Sequence, residues 1–250
     1  MALLRSNGAA REQGGTSGTP GRRTACDAAG VPEPDVATTL DVLDWRRRTQ
    51  DLYRAVRAAD DPAAAHALWC EGRNDLFARH PASPLPPEHR AAFPGLAVAP
   101  YDDAYRLEAA VEPVEPKEPG DAADTFDADT GTDGVVPFRR LGRVRLAVPG
   151  GDVTLDVWRL ASYAGGLFLP VRDGTSGGPS YGGGRYLLDT VKGADLGPGR
   201  APGTVVVDLN FAYNPSCAYE PSWACPLAPL GNRTAVPLPV GEQHRGPWVH

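Results

Sequence analysis

RVRLAVPGGDVTLDVWRL, residues 143–160, decides the fold. Val144, Leu146 and Val148 alternate with polar or small residues, and so do Val153, Leu155 and Val157. Each run has the two-residue period of a half-buried strand. Pro149-Gly150-Gly151-Asp152 between them carries turn chemistry, so the stretch reads as a β-hairpin. Further strands are expected at 101–111, 166–171, 185–189, 204–209 and 237–240, with 204–209 apolar enough to be buried on both faces. Short strands joined by glycine turns predict a mainly β (α+β) fold, an antiparallel barrel-like or sandwich β domain.

Two helices precede the strands. Thr39 or Asp41 can cap the first, whose stripe is Leu40, Val42, Leu43, Trp45, Leu52, Tyr53 and Val56. Asp61 followed by Pro62 opens the second, with Leu68, Trp69, Leu76 and Phe77 as its buried face and a stop at His80-Pro81. A further helical turn is expected near residues 87–92. The helices are expected to pack on one side of the strands or over an open end. Residues 1–36, rich in Gly, Pro, Thr and charge, read as a disordered arm, because they cannot bury enough surface to offset the entropy of ordering. Residues 37–245 form a single domain, with a helical segment at 37–95 and a β-rich part at 96–245. An acidic, Pro-rich mobile loop is expected at 112–134, and 246–250 is a tail.

Bulk chemistry excludes several functions. A formal charge of −6 and a pI near 5.4 argue against a nucleic-acid partner, since such proteins concentrate Lys and Arg to displace counterions. Trp45-Arg46-Arg47-Arg48 is the one basic run, and it reads as a solvated helix face. The start lacks the apolar segment of a signal peptide and no stretch is long and apolar enough to span a bilayer, so a cytoplasmic protein without membrane contact is expected. Thiols there stay reduced, so Cys26, Cys70, Cys217 and Cys225 are not assumed to be bridged. Without secretion, the Asn-Arg-Thr triplet at Asn232 carries no glycosylation meaning.

Two stretches concentrate chemistry. SGGPSYGGGRY, 176–186, lacks both the Gly-Lys-Ser/Thr ending of a phosphate loop and a helix after its glycines. It is either a tight turn with Tyr181 and Tyr186 packed beside it, or a ligand loop in which Gly183 brings backbone close and Arg185 presents a planar fork to an anion. Arg172 and Asp173 stand just before it at a strand end, where Asp-Gly is also ordinary turn chemistry. DLNFAYNPSCAYEPSWACP, 208–226, carries Asp208, Asn210, Tyr213, Asn214 and Tyr219 out of an apolar strand, and these polar groups need hydrogen bonds from protein or ligand. Cys217 and Cys225, eight apart, lack zinc-ribbon spacing. Buried reduced thiols, a disulfide or redox pair, a catalytic thiol and a metal site all stay open for them. No metal or cofactor is assigned.

The motifs RDGTSGGPSYGGGRYLLDT at 172–190, VVVDLNFAYNPSCAY at 205–219, CPLAP at 225–229 and Asn232-Arg233 closely resemble a bacterial family, domain of unknown function 1684. The likeness covers roughly residues 170–240, with a weaker helical region led by Trp45 and Arg46. It implies no established activity. At Leu230-Gly231 the chain departs from the Pro-Glu common in relatives, so a general acid or base carried there is missing here. Three readings of function follow. The first is a small-molecule binding protein with an anionic ligand held by residues 181–186 and 208–219. The second is a hydrolase-like enzyme using Cys217 as nucleophile or Asp208 as acid/base, with Tyr213 and Arg185 stabilising charge. The third is a structural or interaction protein without a pocket. Oligomeric state cannot be read from the sequence.

Overall fold

The computed structural model describes residues 35–114, 124–129, 135–162, 165–221, 223 and 225–246. The expected arm up to residue 34, residues 115–123 and 130–134 of the acidic loop, and residues 247–250 of the tail lie outside them. Among the described residues three helices come first: α1 (Val36–Ala58), α2 (Pro62–Arg79) and the single turn α3 (Pro87–Arg90). Asp35, rather than Thr39 or Asp41, caps α1, its carboxylate accepting from the Thr38 amide at 2.8 Å. Asp61 caps α2 as expected, with Pro62 in the first turn. Of the predicted stripes, Tyr53, Val56, Trp69, Leu76 and Phe77 are buried, whereas Leu40, Leu43 and Leu68 are exposed. The helices turn only part of their apolar surface to the strands.

Among the described residues eight strands follow: β1 (Arg106–Ala110), β2 (Glu112–Pro113), β3 (Thr125–Asp129), β4 (Val135–Val148), β5 (Gly151–Leu160), β6 (Leu167–Val171), β7 (Arg185–Asp189) and β8 (Thr204–Asp208). β1 starts later than expected because the Asp102 side chain caps a 3-10 turn over Asp103–Tyr105. The acidic loop contains a strand: Phe126 and Ala128 of β3 alternate with polar residues, and Phe126 packs against Phe138 and Trp158 at 5.2 and 5.5 Å between ring centroids. Residues 237–240 are not a strand. The carbonyls of Leu238 and Val240 accept from the Arg185 side chain instead of a neighbouring strand.

All strand pairs are antiparallel. β2, β4, β5, β6 and β7 form one sheet in that order, with β3 also on β4, and β1 pairs with β8 in a second. Among the described residues no ladder closes the larger sheet into a barrel. A bulge in the β4–β5 hairpin explains how one strand serves two cores. Arg140 faces Trp158 but Gly142 faces Val157, so the extra residue Leu141 sends the later even-numbered side chains to the opposite face. Beyond it Val144 and Leu146 join Leu155, Val157, Val171, Val207 and Leu238 in an aliphatic core shared by both sheets. Before it Phe138 joins Trp158, Phe168, Tyr186 and Phe211 in an aromatic core that also receives Tyr53 and Trp69 from the helices.

Of the three glycines at 182–184, only Gly184 has the left-handed backbone, with φ +94°, and a Cβ there would lie 2.6 Å from the Val171 carbonyl oxygen. The close approach is to β6, not to a ligand. Gly184→Ala is expected to lower the unfolding free energy by roughly 2–3 kcal/mol in urea denaturation, and Gly182→Ala by less than about 0.5 kcal/mol.

Candidate functional site

Arg185 of the glycine loop and Asp173 just before it, both expected to meet a ligand, face inward. Arg185 is 1% exposed. Its Nη2 donates to Asp173 Oδ2 at 2.9 Å and to the Leu238 carbonyl at 2.8 Å, while Nη1 donates to the carbonyls of Val240 and Glu242. Asp173 Oδ1 accepts from the amides of Thr175 and Leu238 and from the Thr175 hydroxyl. The guanidinium fork therefore ties the loop after β6 to the C-terminal segment 238–242. Arg172 stays exposed, its Nε donating to the Gly182 carbonyl at 2.8 Å, and at Gly183 the Tyr181 ring stands where a side chain would go.

Asp208 and Asn210 are likewise engaged. Asp208 Oδ1 accepts from the backbone and side-chain amides of Asn210, and Oδ2 accepts from Arg106 at 3.1 Å and Tyr101 at 3.4 Å. Asn210 exchanges hydrogen bonds with the backbone of Asp102, and its own carbonyl meets His66 Nε2 at 3.0 Å. The acid/base expected at Asp208 is buried with both oxygens occupied. Tyr219 is buried edge-on against Phe77.

Tyr213 and Asn214 do reach a cavity. Tyr213 exchanges backbone hydrogen bonds with Tyr186 at 2.8 and 3.1 Å, which fastens the 208–219 segment to β7 and sets Tyr213, Asn214, Pro215 and Ser216 against the helices. Between them is a partly enclosed cavity of about 50 Å³, walled also by Trp45, Thr49, Leu52 and Tyr53 of α1, Arg73, Leu76 and Phe77 of α2, and Tyr186, Lys192 and Ala194. Arg73 is its charged centre. The guanidinium carbon lies 5.0 to 5.2 Å from the ring centroids of Trp69, Tyr213 and Phe77, and Nη2 donates to Glu242 Oε2 at 2.6 Å. Glu242 Oε2 also accepts from the Asn214 amide at 3.0 Å. Burial pushes the Glu242 carboxyl above its ordinary range, with Arg73 and the Asn214 amide pulling against it.

Three side-chain atoms in this group are buried without a protein hydrogen bond among the described residues: Arg73 Nε, Asn214 Oδ1 and Glu242 Oε1. The first two belong to cavity-wall residues. An unpaired buried donor or acceptor carries a desolvation penalty of about 1–3 kcal/mol, so a partner other than protein is called for.

A second cavity, of about 100 Å³, shares Trp45, Lys192 and Ser216 with the first and is lined also by Arg46, Trp223 and Cys225. Lys192 Nζ lies 3.4 Å from Asp189 Oδ2 and 5.5 Å from the centroid of the Tyr186 ring, with its side chain 40% exposed. Burial alone would lower its ammonium, but the charges of Asp189 and Cys225 hold it above the ordinary value. Cys217, the expected nucleophile, lines neither of these two cavities, and its sulfur lies 3.8 Å from the Tyr181 hydroxyl. Among the described residues no three His, Cys, Asp or Glu side chains gather as a metal site requires.

At Gly231, where the sequence departs from the pattern that the resemblance implies, a Cβ would collide with the Asp156 carboxylate. Asp156 is held by Arg143 at 2.7 Å and Arg140 at 3.6 Å. A carboxylate therefore occupies this corner of the fold, supplied from β5 rather than from position 231.

The cations of the cavity, Arg73 and Lys192, were not among the residues singled out from the sequence. A signal for Arg73 was present: it falls four residues after Trp69 and four before Phe77, a charge inside an aromatic helix stripe. Lys192 had none, since Thr190-Val-Lys-Gly reads as an ordinary turn.

The model of a family described as a protein of unknown function, DUF1684, matches residues 91–243. That span carries the strands and the cavity-wall residues Tyr186, Lys192, Ala194 and 213–216, while Trp45, Arg46 and Arg73 precede it. The solution NMR structure of an uncharacterised protein from Haloarcula marismortui is similar, 33% identical with a TM-score of 0.50, over 70% of this chain and 89% of that one. No curated protein matches the chain.

Proposed function

The chain belongs to the family of proteins of unknown function DUF1684, and from its cavity we propose that it binds a small anion carrying a hydroxyl or amino group. The observation that carries this is a pair of buried, unpartnered atoms, Arg73 Nε and Asn214 Oδ1, each belonging to a residue that lines the cavity. The first needs an acceptor and the second a donor, and a hydroxy or amino acid, or a small phosphate ester, offers both. Trp45, Tyr53, Phe77 and Tyr213 supply the aromatic walls usual in ligand sites, with a few converging polar groups. Arg73 and Lys192 take the role that Arg185 had in the sequence reading. The size of the cavity favours a metabolite of few atoms over a nucleotide cofactor. We place this activity in the cytoplasm, without nucleic acid or membrane as partner; no described helix is long and apolar enough to cross a bilayer.

The test is a thermal-shift panel of small hydroxy acids, amino acids and phosphate esters, each beside an analogue lacking the hydroxyl or amino group. A ligand at one hundred times its Kd adds about 2.7 kcal/mol, a rise of roughly 5–10 °C for a chain of this size. The rise is expected for the substituted anion, less for its analogue, and strongly reduced in Lys192→Met, whose half-exposed side chain leaves the fold intact. A panel without a single rise, or equal rises in Lys192→Met, removes the reading.

A further inference from the structure

Cys217 and Cys225 face each other across a loop whose start is a 3-10 turn, Ser216–Ala218. The Cys217 amide points at Cys225 Sγ, 3.4 Å away, and the two sulfurs are near enough for the Cys217 thiol to donate to Cys225. Neither is oxidised, and both are half-buried. Cys225 lines the outer cavity with Arg46, Lys192, Trp45 and Trp223, whereas Cys217 is outside that lining, beside the Tyr181 hydroxyl. One cysteine thus belongs to the lining of the cleft and the other does not. No carboxylate among the described residues pairs with Arg46, so the mouth beside Cys225 is cationic.

We propose that Cys217 and Cys225 are a reversible dithiol–disulfide couple that exchanges with small anionic disulfides, Cys225 attacking and Cys217 resolving. The Cys225 thiolate attacks one sulfur of the disulfide; the Cys225–S bond forms, the substrate S–S bond breaks and the first thiolate departs. Cys217 then gives up its proton to the departing thiolate and attacks Cys225 Sγ, forming the protein disulfide and releasing the second thiolate, which takes a proton from solvent. Two protein thiols are oxidised and one substrate disulfide becomes two thiols.

The local electrostatics assign these roles. The Cys217 thiol's hydrogen bond, the Lys192 charge and the Ser216 and Cys217 amides hold the Cys225 thiol well below its ordinary range. The same hydrogen bond and burial hold the Cys217 thiol up. Capping Cys225 removes the negative charge that Cys217 donates to, so the resolving thiol is released when it is needed. Cys70 provides an internal contrast, with burial pushing its thiol up to about 11. The inference goes beyond small-anion binding and does not depend on an occupant of the inner cavity.

The experiment treats the reduced full-length chain with glutathione disulfide, an anionic probe, and with cystamine, a cationic one, followed by intact-mass and peptide mapping. The wild-type protein is expected to lose two thiols, linked as Cys217–Cys225, and to keep no adduct. Cys217→Ser is expected to retain one glutathione on Cys225, and Cys225→Ser to leave Cys217 unmodified. Glutathione disulfide is expected to react at least about tenfold faster than cystamine, and Arg46→Ala to remove most of that preference. Cys217→Ser without an adduct, or Cys225→Ser reacting at Cys217 as the wild type does, overturns the couple. Equal rates with the two probes overturn the anionic substrate.

Discussion

Arg185→Ala is expected to lower the unfolding free energy by about 3–5 kcal/mol, the range for removing one partner of a buried ion pair. Arg185 and Asp173 have side chains 1% and 0% exposed, and the substitution strands the Asp173 carboxylate together with the carbonyls of Leu238, Val240 and Glu242. Arg185→Lys should recover only part of the loss, because an ammonium is a compact charge and cannot reproduce a planar fork reaching four oxygens. Urea denaturation gives the comparison directly. A variant with unchanged stability that has lost ligand binding would instead return Arg185 to the site that its sequence position suggests.

Asn232→Ala is expected to be comparably damaging, by roughly 3–5 kcal/mol, through the geometry of β5 and β6. These strands pair only at Trp158–Phe168 and Arg159–Leu167, and continuing that register would set Asp156 against Pro170, which has no amide to donate. The Asn232 side chain fills the gap. Its Nδ2 donates to the carbonyls of Asp156 at 2.8 Å and Pro170 at 2.9 Å, and its Oδ1 accepts from Trp158 Nε1 at 2.7 Å. Its backbone carbonyl accepts from Arg172 while Thr234 donates to the Arg172 carbonyl, so residues 232–234 run alongside the end of β6. Alanine leaves three buried groups unpaired, and Asn232→Asp, which cannot donate, should do no better. Thermal melts should fall by on the order of 10 °C. A fall of under about 2 °C would mean that the strands re-pair without the amide. With its amide committed, Asn232 is also closed to glycosylation in the folded protein.

Much of the fold is legible from local pattern. Alternation in β4 and β5 and the Asp61-Pro62 start of α2 each reflect which face of one element must be apolar or which donor needs a cap. Misreadings arose where a remote group competed. Residues 237–240 look like a strand, but their carbonyls face Arg185, and β3 hides in acidic sequence because two residues, Phe126 and Ala128, suffice to seat it. Of the candidate site, Tyr213 and Asn214 reach the cavity, whereas Arg185, Asp173, Asp208 and Asn210 are bound up within the protein. A polar residue beside an apolar strand looks the same in sequence whether its partner is a ligand or the chain's own backbone.

By itself the sequence determined the family resemblance, the β-rich class with two leading helices, and the presence of two rich loops at 176–186 and 208–226. Tertiary structure alone decided which charges meet. Arg73 binds Glu242 across 169 residues and Arg185 binds Val240 across 55, while Cys225 gains its Lys192 neighbour only when two loops pack together. Periodicity reports the face that a side chain occupies, because that is fixed by the backbone's own repeat. What stands opposite that face depends on how distant elements dock.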